Sequence, residues 1–241
     1  MIRFGPAGNS NSFYADGYKH SLDACQWIHR WGLNAYEYQC TRGVRVSYGF
    51  CNTLGAQAQR YDIQLSIHAP YYINLASLEA EIREHSGYHI LKSLEAAAWM
   101  GARRVVFHPG ALSGQSREEA MKRAEDTLAR ILADARKEGY LDMVALCPET
   151  MGKTNQFGHL GEVIQLCRLD EALYPAIDFA HLHALYGGGM NTAKDFAAVF
   201  DKIAGQLGQE KLQGCHIHFS PVEYTKGGER RHRTLQEKEY G

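Results

Sequence analysis

The sequence has no CxxC pair: its six cysteines (25, 40, 51, 147, 167 and 215) are scattered over 241 residues. In a chain of this size they read as reduced and mostly buried, not as a disulfide framework. No apolar run approaches the roughly 18 residues that span a bilayer. The opening stretch MIRFGPAGNSNS has no apolar core of a signal peptide, so the cytoplasm is the expected compartment. There is no charge surplus either. The net charge of −1 gives no global basic footprint, which neither supports nor excludes a nucleic-acid partner. A Gly-rich phosphate loop is also missing, because GPAG at 5–8 lacks the spacing. Nothing reads as a linker or a charge block, so one domain is expected over residues 1–241.

Against these absences stand an ordinary globular composition, 45% apolar and 22% charged, and a high count of twelve histidines. Short apolar runs recur at 2–7, 33–40, 63–70, 103–110, 143–150, 174–181 and 212–220. Helical patterns lie between them. Ser21 and Gly32 bracket one, and Gly101 closes another that covers 86–100. Ser116 with Glu119 and Thr192 with Asp195 have capping-box spacing ahead of two more, near 117–138 and 193–207. Strands alternating with helices predict parallel βαβ units and an α/β fold.

An open doubly wound sheet and a closed (β/α)8 barrel compete at this point. Polar residues recur where the strands should end: Glu37 and Gln39, His68, His108, Glu149, Asp178 with His181, and His216 with His218. A rim built from the C-terminal ends of several strands is the barrel pattern. Seven strands are counted. The tail after Ser220 has no strand-like run, so the eighth strand is expected to be lacking from this chain. Residues 2–7 and 212–219 would then border an unfilled gap or one filled by a partner chain.

The rim has its own chemistry. His68, His108, His181 and His216 join Glu149 and Asp178, and His232 in the polar tail could fold back to them. Imidazole with carboxylate suits zinc or another borderline divalent ion. Seven candidate ligands exceed one tetrahedral site, so two or three ions sharing a bridging carboxylate are expected. Clustered ions suit phosphate-ester chemistry. A histidine-rich rim without metal is the plainer alternative.

Six motifs, in order, carry a family resemblance: IHAPYYINLAS (67–77), VVFHPGA (105–111), PETMGK (148–153), IDFAHLHA (177–184), HIHFS (216–220) and GERRH (228–232). From about residue 30 on, the chain resembles the endonuclease IV, or deoxyribonuclease IV, family. That family is similar in fold to xylose isomerase TIM barrels, and it cleaves DNA 5′ to abasic sites with three zinc ions. The resemblance implies His68 and His108 on a first ion and Glu149 bridging the first and second. It implies Asp178 and His216 on the second, and His181 and His232 on the third. His183 and His218 match no ligand and read as supporting residues.

Two departures matter. Where the family has Asp-x-His, this chain reads Glu229-Arg230-Arg231-His232, and Glu229 is the candidate replacement. The family's last ligand is a glutamate on strand eight, which this chain is expected to lack.

The resemblance implies a loop against DNA at CTRGVR (40–45), where Arg42 and Arg45 would meet phosphates. Tyr71 or Tyr72 would wedge beside an extruded nucleotide. The expectation is therefore an apurinic/apyrimidinic endonuclease with Glu149 as its catalytic residue. It would use up to three zinc ions, with manganese possible. Its partner would be damaged double-stranded DNA, with no membrane and no obligate protein partner. The alternatives are a sugar isomerase or epimerase on the same barrel, and a barrel that binds metal without turnover.

Overall fold

The computed structural model describes residues 2–235 and Glu237. The single-domain reading of 1–241 also takes in residues 1, 236 and 238–241, which lie outside the described residues. In chain order the strands are β1 (Ala35–Gln39), β2 (Gln64–His68), β3 (Arg104–Phe107), β4 (Gly110–Ala111), β5 (Ala145–Pro148), β6 (Gln156–Phe157), β7 (Ala176–Asp178), β8 (His216–His218), β9 (Val222–Thr225) and β10 (Gly228–His232). The helices are α1 (Asn11–Ala15), α2 (Ala24–Arg30), α3 (Tyr48–Arg60), α4 (Ala80–Met100), α5 (Arg117–Lys137), α6 (Leu160–Leu166), α7 (Phe179–Leu185), α8 (Ala193–Leu207) and α9 (Gln209–Gln213). No helix among the described residues is long and apolar enough to cross a membrane.

The chain divides into two compact units. The first holds residues up to Tyr72 with Gly87–Phe107 and Ile131–Leu146. Its sheet runs in the order β1-β2-β3-β5, with β1–β2 and β2–β3 parallel. The apolar run 2–7 lies beside β1 without becoming a strand. A parallel bridge joins Ala7 to Glu37, and Phe4 O accepts from Ala35 N at 3.0 Å. Proline and glycine explain the interruption: Pro6 has no N–H to give. Gly5 sits so close to the carbonyl of Ala35 that a Cβ would fall 1.6 Å from its oxygen.

The second unit holds Ile73–Ser86, His108–Arg130 and the residues from Cys147 on. β7 and β8 are parallel, and Glu149, just past β5, bridges to Ala176. Its core gathers Ile164, Ile177, Phe179, Leu182, Val199 and Ile203 beneath the β7 end. α8 begins with the expected capping box, Thr192 with Asp195. Thr192→Ala should lower stability by about 1 kcal/mol, read as a shift in the chemical-denaturation midpoint. An unchanged midpoint would mean the cap contributes nothing. Arg117 anchors the 154–159 segment, bonding Glu162 Oε1 at 2.8 Å, Thr154 O at 2.9 Å and His159 Nε2 at 2.8 Å. Burial, reinforced by this guanidinium, lowers the pKa of His159.

Two expectations need correction. The run 174–181 does not stay a strand to its end. β7 stops at Asp178, whose Oδ1 accepts from His181 N at 2.9 Å and caps α7. His181 and His183 are therefore helical. The tail after Ser220 is not strandless. β9 and β10 form an antiparallel hairpin about Lys226 and Gly227. Charge hides the pattern in the sequence: Val222 and Tyr224 alternate as a strand should, and glycines at 227 and 228 permit the turn, with Gly228 at φ 104°.

Candidate metal centre

In the second unit, buried carboxylates sit among imidazoles. Glu149 is 1% exposed and shares its two oxygens between histidines: Oε2 lies 3.0 Å from His108 Nε2 and Oε1 lies 2.6 Å from His218 Nδ1. Asp178, 3% exposed, sits one strand over. Its backbone N–H donates to Thr150 Oγ1 at 2.9 Å, and its Oδ2 lies 4.0 Å from both His218 Nδ1 and His232 Nε2. Burying two carboxylates without cations near them would be costly.

The imidazole of His181 is oriented by its backbone neighbour. Nδ1 lies 2.7 Å from Thr150 O. A carbonyl only accepts, so Nδ1 carries the proton and Nε2 presents its lone pair. That lone pair faces His232 Nε2 at 3.3 Å. Ser220 Oγ holds the other ring nitrogen of His232 at 2.7 Å. Two imidazole nitrogens this close need a proton or a cation between them. Asp178, His181 and His232 offer ligand atoms all within 4.8 Å of one another, and so do Glu149, Asp178 and His218. The donor set, nitrogen with carboxylate oxygen, fits a zinc-type divalent ion.

The hairpin brings His232 to this place. Val222 and Tyr224 pack on Ala180 and Ala184 of α7. The register slips between Glu229 and Arg231, a bulge that takes up one residue. A bulge reverses the alternation of sides, so Glu229 and His232 fall on one face despite their odd spacing. This absorbs the extra residue that separates the chain from the Asp-x-His pattern. Glu229 N donates to Gly152 O at 2.9 Å, and its carboxylate lies 3.6 Å from Lys153 Nζ. A Cβ on Gly152 would stand 2.8 Å from Glu229 Cβ and 2.9 Å from His181 Cδ2. Gly152→Ala should therefore push β10 off α7 and lower the metal content by one ion per chain. Metal analysis of the purified variant checks this, and full occupancy would contradict it.

The remaining residues fall as follows. His216 stands level with Ala176 and His218 level with Asp178 in the β7–β8 register. The structure thus brings His218, read from the motifs as a supporting residue, to the carboxylates, with the His216 ring centroid 5.0 Å from its own. His183 pins the 186–190 segment through Met190 O at 3.2 Å and packs edge-on against Tyr224. In the first unit, His68 is buried at the end of β2, with Nδ1 2.8 Å from Ala69 O. Its ring meets Tyr71 edge-on. Tyr71 and Tyr72 are exposed, as are Arg42 and Arg45 in the segment that follows β1. Tyr71 N donates to Thr41 O at 3.4 Å, which joins these two segments.

Parallel strands alternating with helices, and an imidazole–carboxylate cluster just past the strand ends, define an α/β protein with a candidate metal centre. The chain belongs to the xylose isomerase-like TIM barrel family, whose family model matches residues 25–238. It is 36% identical over 240 residues to an uncharacterized protein of Methanocaldococcus jannaschii, covering 100% of this chain and 84% of that one. It is 30% identical over 163 residues to a probable endonuclease 4 of Shouchella clausii. That match covers 65% of this chain and 53% of the relative, so the chain spans about half the relative's length. Among solved structures, endonuclease IV from Thermus thermophilus superposes with a TM-score of 0.64 at 25% identity, over 85% of this chain and 73% of that one. A D-tagatose 3-epimerase-like protein shares the fold, with a TM-score of 0.62 at 21% identity over 84% and 73% of the two chains. The likeness to endonuclease IV read from the motifs is thus borne out.

Proposed function

We propose that this protein is a metal-dependent phosphodiesterase that cleaves DNA at abasic sites. The observation that carries the reading is Asp178, which belongs to two overlapping ligand groups, one with Glu149 and His218 and one with His181 and His232. A shared carboxylate of this kind suits adjacent divalent ions. Zinc is the expected metal, up to three ions, with manganese possible. His68, His108, Glu149, Asp178, His181, His216, Glu229 and His232 are the candidate ligands, with His218 added by its place beside Glu149.

Bound divalent ions would acidify a water and neutralise charge on the phosphate. The chain's own residues do the rest. Glu149 is the catalytic residue, its buried carboxylate orienting the water that attacks phosphorus as the bridging oxygen leaves. The Thr150 carbonyl keeps the His181 proton on Nδ1, so that Nε2 stays a ligand. Arg42 and Arg45 would meet backbone phosphates, and Tyr71 or Tyr72 would replace the stacking lost at the lesion. The partner is damaged double-stranded DNA, and the expected compartment is the cytoplasm.

A sugar epimerase is the second reading, favoured by the fold shared with the D-tagatose 3-epimerase-like protein. Incubating the protein with an abasic duplex and with a ketose panel, each with and without chelator, decides between them. Chelator-sensitive nicking of the duplex alone is the expected result. Ketose turnover without nicking would overturn it, and inertness toward both would point to a barrel that binds metal without turnover.

A further inference from the structure

The outer face of the β9–β10 hairpin carries a charged cluster that the centre does not use. Glu223 accepts from Arg230 Nη1 at 2.5 Å and Arg231 Nε at 2.9 Å, and it also pairs with Arg233. Arg233 is mostly covered and is held a second time by Glu237, at 2.8 Å. Arg230 and Arg231 are different: their side chains are 69% and 61% exposed, and each commits a single nitrogen to Glu223. The cluster sets three guanidiniums, Arg230, Arg231 and Arg233, against two carboxylates, Glu223 and Glu237. Alternation along β10 puts Arg231 and Arg233 on one face and His232 on the other. One short strand therefore carries a candidate ligand on its inner side and a basic cluster on its outer side.

We propose that this outer face binds the phosphodiester backbone of nucleic acid, with Arg230 and Arg231 as the contacts and Glu223 as their organiser in the free protein. The guanidinium fork matches carboxylate and phosphate alike. A fork already ordered on a carboxylate needs little rearrangement to accept a phosphate. Exposed ion pairs contribute little to stability, so giving up the contacts to Glu223 costs little. The bulge at Arg230 turns that side chain away from the regular ladder and widens the basic face. The inference rests on the reading of the centre as a phosphodiesterase acting on nucleic acid. It adds a contact outside the loops that carry Arg42, Arg45, Tyr71 and Tyr72.

The test is equilibrium binding of the whole chain to a fluorescent, undamaged duplex, followed by anisotropy across a salt series. Each phosphate contact contributes a slope of about 0.9 to the fall of log affinity with log salt. Arg230→Ala should flatten the slope by about 0.9, and Arg230→Ala with Arg231→Ala by about 1.8. Glu223→Gln should tighten binding, because it removes the anion that competes with phosphate. The single Arg230→Ala variant leaves Arg231 and Arg233 on Glu223, so the test survives if the double variant misfolds. If the wild type binds the duplex and the variants keep its slope and affinity, the hairpin is not a contact, and the inference fails while the phosphodiesterase reading stands. If the wild type neither binds duplex in a salt-dependent way nor nicks an abasic one, both fail.

Discussion

Glu149→Gln should lower abasic-site cleavage by on the order of 10³-fold, the scale of losing one preorganised electrostatic partner in a water-poor site. The reason is local. Both oxygens of Glu149 are committed, one to His108 at 3.0 Å and one to His218 at 2.6 Å. Glutamine keeps the shape but loses the charge, and its amide nitrogen would donate where an acceptor is needed. Bound metal should fall in parallel. His183→Ala is the matched control, because His183 holds a loop through Met190 rather than touching the carboxylates. Its loss should cost no more than about tenfold. Steady-state nicking rates on an abasic duplex, with metal content measured on the same preparations, check the pair. Equal losses for the two variants would show that the division between ligand and supporting residue is misplaced.

The strand ladder is largely legible in the sequence. The apolar runs at 33–40, 63–70, 103–110, 143–150 and 212–220 each contain an observed strand, and the capping pairs Ser116–Glu119 and Thr192–Asp195 do mark helix starts. The site is legible in part, and its misses have physical causes. Phe179 and Ala180 prolong the apolar run of β7, so hydrophobicity alone continues the strand. The turn into α7 depends on one hydrogen bond, from His181 N to the Asp178 side chain. His216 and His218 are two apart on β8 and so project to one side. Periodicity cannot choose between them. The parallel register, which sets His218 level with Asp178, does. The hairpin escapes a sequence reading because its outer face is almost wholly charged, and an alternation with Val222 and Tyr224 as its only apolar members is too short to stand out. The hairpin sets His232 Nε2 3.3 Å from His181 Nε2. The one-residue offset of Glu229 from the Asp-x-His spacing is taken up by backbone, in a bulge that the sequence does not announce.

Asp178 joins fold and site in one side chain, and two substitutions should separate its roles. Its Oδ1 caps α7 by accepting from His181 N, while Oδ2 lies toward His218 and His232. Asparagine is among the best N-caps and presents a neutral oxygen to the same N–H. Asp178→Asn should therefore keep the helix and the melting temperature nearly intact. It should still lose metal and lower cleavage by on the order of 10²-fold or more, since the charge that both ligand groups share is gone. Asp178→Ala removes the cap as well. It should lose the same activity and, in addition, about 1 kcal/mol of stability, because the buried His181 N–H is left without its acceptor. Thermal melting of metal-free protein reads the cap alone. Metal titration followed by nicking assays reads the charge alone. The two variants should agree in the second measurement and differ in the first. If asparagine restores metal binding to the wild-type level, the Asp178 carboxylate is a helix cap and nothing more, and the two ligand groups do not share it.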